Sequence, residues 1–349
     1  MRLNPNVEGM PLNLPLSFFA RLSLQVVMIA SMVFGVVFSV LFFSSKRIVR
    51  QEAESHAGSE LSGTVYQIED ILHQVEAAAK NMEWLVRDRL GNPDSLYAVT
   101  RMMMRTNPHV IGSCVAFEPG FYAEKGELFA PYSYLTEEGE VKDRNLGYAA
   151  YNYHAKEWYA TPKRLDRNYW SEPYFDEGGG DRVMSTYSHV LRNGEGKMFG
   201  ILTADISLDH LSGLVNGIKP YPGSYTLMIS RLGNYLVHPK PERILHETIY
   251  TATSDMTDRS VTILGDAMIR GEEGMHELQN DDTLSYVFYK PVEGTEWSVA
   301  VVCPYRDVFA PLDRLTLVVV SVFLLGLLAL LFFCVWRIRR TSHPLKLFS

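Results

Sequence analysis

A chain of 349 residues holds one or two domains, and its formal net charge of −7 leaves no basic footprint for nucleic acid. No G-x-S-x-G, H-E-x-x-H or G-x-x-x-x-G-K-[ST] occurs, so the usual signs of an esterase nucleophile, a zinc protease and a P-loop nucleotide site are missing. The ten histidines are scattered singly, which predicts neither a metal site nor a cofactor.

In chain order, a short N-terminal stretch (1–21) leads into the uncharged apolar block Leu22–Ser45, bounded by Arg21 and Lys46. That block is long enough to cross a bilayer core of about 30 Å as a helix. It is longer than a signal-peptide h-region and lacks an A-x-A cleavage pattern, so a retained anchor is predicted. Residues 46–90 then read as one long helix. Leu61, Val65, Ile68, Leu72, Val75, Ala79, Met82 and Val86 recur at steps of four and three, a heptad-like stripe. The stripe fits packing on its own domain and fits a partner helix from a second subunit, and by itself does not separate the two.

Residues 91–217 read as a first mixed unit. "HVIGSCVAFEPG" is strand-like and ends in a Pro-Gly turn, and "LFAPYSYLTEEGEVKDRNLG" is strand, polar turn, strand. A helix is predicted around Lys156 to Arg164, and "DEGGGDR" as a hairpin turn. "RVMSTYSHVLRNGEGKMFGILTADISL" is a hairpin turning at Asn193-Gly194, followed by a short helix with Asp209 in its first turn. Residues 218–312 form a second unit of similar layout. It has a hairpin at Leu232-Gly233-Asn234, helical and polar stretches to about Arg270, and three strands with turns at "NDD" and "VEGTE". A second uncharged block, Leu315–Trp336, follows and is also long enough to span. Arg337, Arg339 and Arg340 directly after it predict a cytoplasmic C-terminus. With two spans, both termini are then cytoplasmic and the middle lies outside. Cys114 and Cys303 fall in separate strand-like stretches, Cys334 in the second span, and nothing demands a disulfide.

The window Tyr151–Arg182 concentrates aromatic and charged groups in a way an aliphatic core would not. Tyr151, Trp158 and Tyr174 can wall a pocket and present hydrogen-bonding or cation–π faces. Asp176 and Asp205 supply acceptor-only carboxylates for an ammonium, and Lys156 the opposite charge for a carboxylate. Charges of both signs suit a zwitterion. A plain core with a solvated charged rim remains open on spacing alone. So does an anchored enzyme using Asp176 and Asp205 as an acid–base pair, although no obvious nucleophile accompanies them. A structural anchor for another membrane protein is the third reading.

"YNYHAKEWYA", "WSEPYFD", "FGILTADISLDHL" and "GNYLVHPK" resemble the double Cache extracytoplasmic sensor domain of bacterial receptors over about residues 44 to 312. The resemblance implies an α+β fold, with a long N-terminal helix and two PAS-like units between two transmembrane helices. It implies a bacterial cell-membrane protein with its sensor outside, a homodimer, and a small ligand (amino acid, amine or small carboxylate) in the membrane-distal unit. The amino-acid-binding pattern of such domains falls on Tyr151, Lys156 and Trp158 toward a ligand carboxylate, and on Tyr174, Asp176 and Asp205 toward its ammonium. Lys156 stands where that pattern has Arg, which keeps the charge and loses the planar fork. Residues 337–349, "RIRRTSHPLKLFS", resemble the entry of a HAMP linker. No catalytic output module is found in the sequence.

Overall fold

The structure is a computed structural model that describes residues 18–251, 259–280 and 283–342; of 18–20, 280 and 337–342 it describes the backbone alone. The expected cytoplasmic segment 1–21 therefore lies mostly outside the described residues, as do the side chains of Arg337, Arg339 and Arg340 and the HAMP-like stretch beyond residue 342. The described residues form two compact units, one of those up to 51 together with those from 309 onward, and the other of those between 52 and 308.

Helix α1 (Phe18–Asp88) and helix α6 (Tyr305–Ser342) contribute to both units. Each contains a window long and apolar enough to cross a membrane, with mean hydropathy 2.7 and 3.1. Neither window is buried against protein, as the core helix of a soluble domain would be. Within this unit Phe34 stacks on Phe323 at 3.5 Å, and the Lys46 ammonium lies over the Phe309 ring.

In the larger unit, the predicted stripe of α1 is buried from Leu61 through Ala79 and again at Val86, with Met82 half-buried. The stripe thus packs on its own domain. Helix α2 (Leu96–Thr106), which the sequence reading passes over, buries Leu96, Val99, Thr100, Met103 and Met104, one face of a helix. Pro93 opens the one-turn helix before it. Asn107 closes α2 by donating from Nδ2 to the Met103 carbonyl at 2.8 Å.

Strands β1 (Val110–Phe117), β2 (Pro131–Leu135) and β3 (Val141–Asn145) precede helix α3 (Glu157–Leu165). Two short strands, β4 (Tyr169–Trp170) and β5 (Tyr174–Phe175), lead to the long hairpin β6 (Val183–Arg192) and β7 (Met198–Ser207) and to helix α4 (Leu208–Val215). They form an antiparallel sheet in the order β3-β2-β1-β7-β6-β4, with β5 also on β6. Ser207 caps α4 by accepting from the Asp209 amide. A second antiparallel sheet, ordered β10-β11-β12-β8-β9, holds β8 (Tyr225–Ile229), β9 (Tyr235–Val237), β10 (Gly274–Asn280), β11 (Thr283–Val292) and β12 (Trp297–Pro304), with helix α5 (Arg259–Ile269) on one face. Gly233 takes φ +79° at the β8–β9 turn, a backbone state that costs glycine no steric penalty. The fold is α+β with two PAS-like sheets, as the sequence implies. Cys114 and Cys303 are free and buried, one in each sheet.

Candidate functional site

The face of the seven-stranded sheet away from α2 is covered by the segment that carries α3. Cys114, Ala116, Tyr132 and Ile201 of the sheet pack there against Tyr151, Tyr153, Trp158 and Tyr159. Pro162, inside α3, cannot donate to the Trp158 carbonyl one turn back. Ser188 Oγ on β6 donates to that carbonyl instead, at 2.6 Å, and ties Trp158 to the sheet. The strand pairing then fixes what surrounds Asp205 on β7. Gly112 lies opposite it on β1 and Thr186 opposite it on β6. An added Cβ at Gly112 would fall 2.5 Å from both the Asp205 carboxylate and the Tyr132 hydroxyl, so only glycine leaves that space.

All six predicted residues meet here. Tyr174 OH and Thr186 Oγ1 share a hydrogen bond of 2.7 Å, and Thr186 Oγ1 contacts Asp205 Oδ1 at 2.8 Å. Tyr151 OH donates to Asp176 Oδ1, and the Gly180 amide to Asp176 Oδ2 at 2.7 Å. The Lys156 ammonium sits 4.8 Å from the centre of the Tyr151 ring. Asp176 and Asp205 are 2% and 3% exposed, yet no cationic side chain comes within ion-pair distance of either among the described residues.

Burial, and then the charge of Asp176, push the Asp205 carboxyl up to about 7. Burial raises Asp176 too, against the opposing pull of the Tyr151 hydroxyl, the Gly180 amide and the Lys156 charge. Two buried polar groups point into this cluster without a hydrogen bond of good geometry. They are Trp158 Nε1, near the Tyr151 hydroxyl, and Tyr132 OH, near the Asp205 carboxylate. The loop 176–182 closes one side. Its Gly178 and Gly179 carbonyls accept from the Arg144 guanidinium, and Gly178 O also from Tyr148 OH at 2.8 Å. The arrangement offers an ammonium two buried carboxylates, and an acceptor group the indole N–H of Trp158.

Tyr132, Gly112 and Thr186 are the members that sequence reasoning missed. A glycine inside a strand pattern is a recognised sign of a bulge or a close approach, and β1 does shift register between Val110 and Gly112. Tyr132 and Thr186 carry no such signal.

Residues 96–213 match the family described as methyl-accepting chemotaxis protein-like, first PDC sensor domain. The methyl-accepting chemotaxis protein PscA of Pseudomonas syringae pv. tomato is 26% identical over 170 residues, which cover 48% of this chain and 25% of that protein. PctB of Pseudomonas aeruginosa is 23% identical over 197 residues, 56% of this chain and 30% of PctB. The match thus spans less than a third of the length of these curated relatives. Among solved structures, a methyl-accepting chemotaxis protein X superposes with TM-score 0.60 at 22% identity, over 73% of this chain and 99% of that one. The ligand-binding domain of PctB with L-Gln gives 0.53 at 18%, over 76% and 98%. At such identities the structural likeness is one of fold.

Proposed function

We propose, for a chain whose residues 96–213 are a methyl-accepting chemotaxis protein-like first PDC sensor domain, the role of sensor portion of a two-pass membrane receptor. Its ligand is a small zwitterion or amine, bound outside the cytoplasm in the cluster around Asp205. The observation that carries this reading is the pair of buried carboxylates, Asp176 and Asp205, with no cationic side chain at ion-pair distance from either among the described residues. Buried charges are ordinarily paired, and an ammonium would supply the partner through charge-assisted hydrogen bonds. Tyr174, Asp176 and Asp205 hold that ammonium in this reading. Tyr151, Lys156 and Trp158 face a ligand carboxylate, for which Trp158 Nε1 is a donor in waiting. PctB, a relative and structural neighbour, has been solved with L-Gln and with L-Arg, which supports the amino-acid class.

In this reading the segment between the apolar helices is periplasmic, both termini are cytoplasmic, and two copies associate through α1, whose Trp84 is 66% exposed. Ligand binding acts by favouring one of two conformations. The test is calorimetry on the full chain in lipid nanodiscs against amino acids, amines and small organic acids. Asp205→Ala is expected to weaken the ligand that binds by roughly 30-fold or more, since removing one partner of a buried charge pair costs on the order of 2–5 kcal/mol. Unchanged affinity in a folded variant would refute the assignment.

A further inference from the structure

Arg231 belongs to the β8–β9 turn of the five-stranded sheet, and its side chain crosses to the other sheet's connecting segments. Nη2 donates to Glu157 Oε1 at 2.7 Å, Nε lies 3.2 Å from Glu172 Oε1, and Nη1 is 3.5 Å from Glu296 Oε2. The guanidinium also covers the Tyr169 ring at 4.7 Å. Tyr169 OH donates to the same Glu157 oxygen at 2.6 Å, and Asn234 Nδ2 of the turn to Glu172 Oε2 at 3.2 Å. Beside this knot Trp170 meets Trp297 at 5.7 Å, and Trp170 Nε1 donates to Glu76 of α1 at 2.8 Å. A cavity of about 280 Å³ opens between the two sides, lined by Tyr169, Trp170 and Glu172 on one and Arg231, Glu296 and Trp297 on the other.

The positions of the two carboxylates along the chain are what give this knot a use. Glu157 lies between Lys156 and Trp158, and Glu172 lies two residues before Tyr174 and four before Asp176. Each arm that reaches the candidate ligand site also carries one carboxylate held by Arg231. A shift of either arm toward a ligand moves a carboxylate against the guanidinium, and the adjoining cavity gives the junction room to move. One cation facing three carboxylates is poised: without it, Glu157 and the buried Glu172 would repel each other across the same gap.

We propose that Arg231 is the latch that couples the distal site to the five-stranded sheet. The latch rests on the ligand-site reading above for its biological purpose, and on the junction geometry for its existence. It acts through Glu157 and Glu172 and touches no ligand, so it is a positioning residue.

Coupling between sites is reciprocal, which allows a test that needs no ligand. Hydrogen exchange is followed by mass spectrometry on the full chain in nanodiscs. Arg231→Gln is expected to speed exchange of the amides of 176–182 by about fivefold or more, the low end of typical coupling. In the opposite direction, Asp176→Asn is expected to speed exchange over 230–235 in the parent and leave it unaltered in the Arg231→Gln background. Arg231→Lys, which keeps the charge and loses the fork, falls between, and it carries the test should Arg231→Gln not fold. Changes in Arg231→Gln confined to 157, 169–172 and 230–235 would overturn the latch, as would an Asp176→Asn effect that ignores residue 231. Calorimetry separates the two ideas: absent ligand binding removes the proposed function and leaves the reciprocity standing, whereas failed reciprocity with intact binding removes the latch alone.

Discussion

In the five-stranded sheet, Leu227, Ile229, Val287, Ala300 and Val302 share an apolar core with Val261, Leu264 and Met268 of α5 and with Tyr235 and Tyr289. In the seven-stranded sheet, the face covered by the α3 segment carries Cys114, Tyr132 and Ile201 under four aromatic rings, and the same region buries Asp176 and Asp205. The strands alternate in the same way in both. The difference lies in what is placed at the inward positions: one sheet buries an apolar cluster under its helix, and the other buries two carboxyl groups at a cost to folding. Such a conflict between local chemistry and stability is expected where a protein binds something.

That contrast can be broken from either side. The largest effect is expected in the apolar core of the five-stranded sheet. Leu264→Ala should destabilise the larger unit by about 2–5 kcal/mol, because methylenes are lost and a cavity remains. Denaturant unfolding should show the same loss at pH 5 and at pH 8. A loss that varied with pH would tie this core to the buried carboxylates.

The second effect concerns Asp205. Its carboxyl rises from an ordinary value of 3.8 to about 7 on folding, so the folded state binds the extra proton. Stability is therefore greatest below the ordinary value and falls as pH rises through 7, by up to roughly 4 kcal/mol. Asp205→Asn should remove that part of the slope, leaving a shallower decline from Asp176, which burial raises as well. Thermal midpoints of the ligand-free chain between pH 4 and pH 8 check this, and an unchanged slope in the variant would show that Asp205 does not titrate there.

The smallest effect is expected at Lys156. Lys156→Arg keeps the cation beside Tyr151 and supplies a planar fork. A ligand with an α-carboxylate should bind equally or several-fold more tightly, and a plain amine with little change. Calorimetry with matched pairs such as an amino acid and its decarboxylated amine reads this directly. A tenfold loss for both would place Lys156 outside the carboxylate end.

Much of the layout could be read from sequence because turns are local. Asn193-Gly194 and Leu232-Gly233-Asn234 announce their hairpins, and Gly233 does take the positive φ such a turn needs. The stripe of α1 likewise follows from helical period. Reading a long helix followed directly by strands passes over α2, although Pro93 and the spacing of Leu96, Val99 and Met103 mark a helix start and an apolar face. The six candidate residues follow from the pattern that the family resemblance implies. Their company does not, because it depends on strand register: Thr186 bridges Tyr174 and Asp205 only through the β6–β7 pairing. Arg231 was beyond reach for a similar reason. Its partners lie 59 to 74 residues earlier and 65 later, and no local rule joins them.

Cys114 lies 1% exposed in the wall of the carboxylate cluster, and burial followed by the charges of Asp205 and Asp176 holds its thiol in the protonated, unreactive form. A reagent in solution meets that sulfur only when the sheet and the α3 segment part. The chain thus carries its own clock for breathing: the rate at which the native Cys114 is alkylated counts the openings of the carboxylate cluster, with no engineered cysteine required.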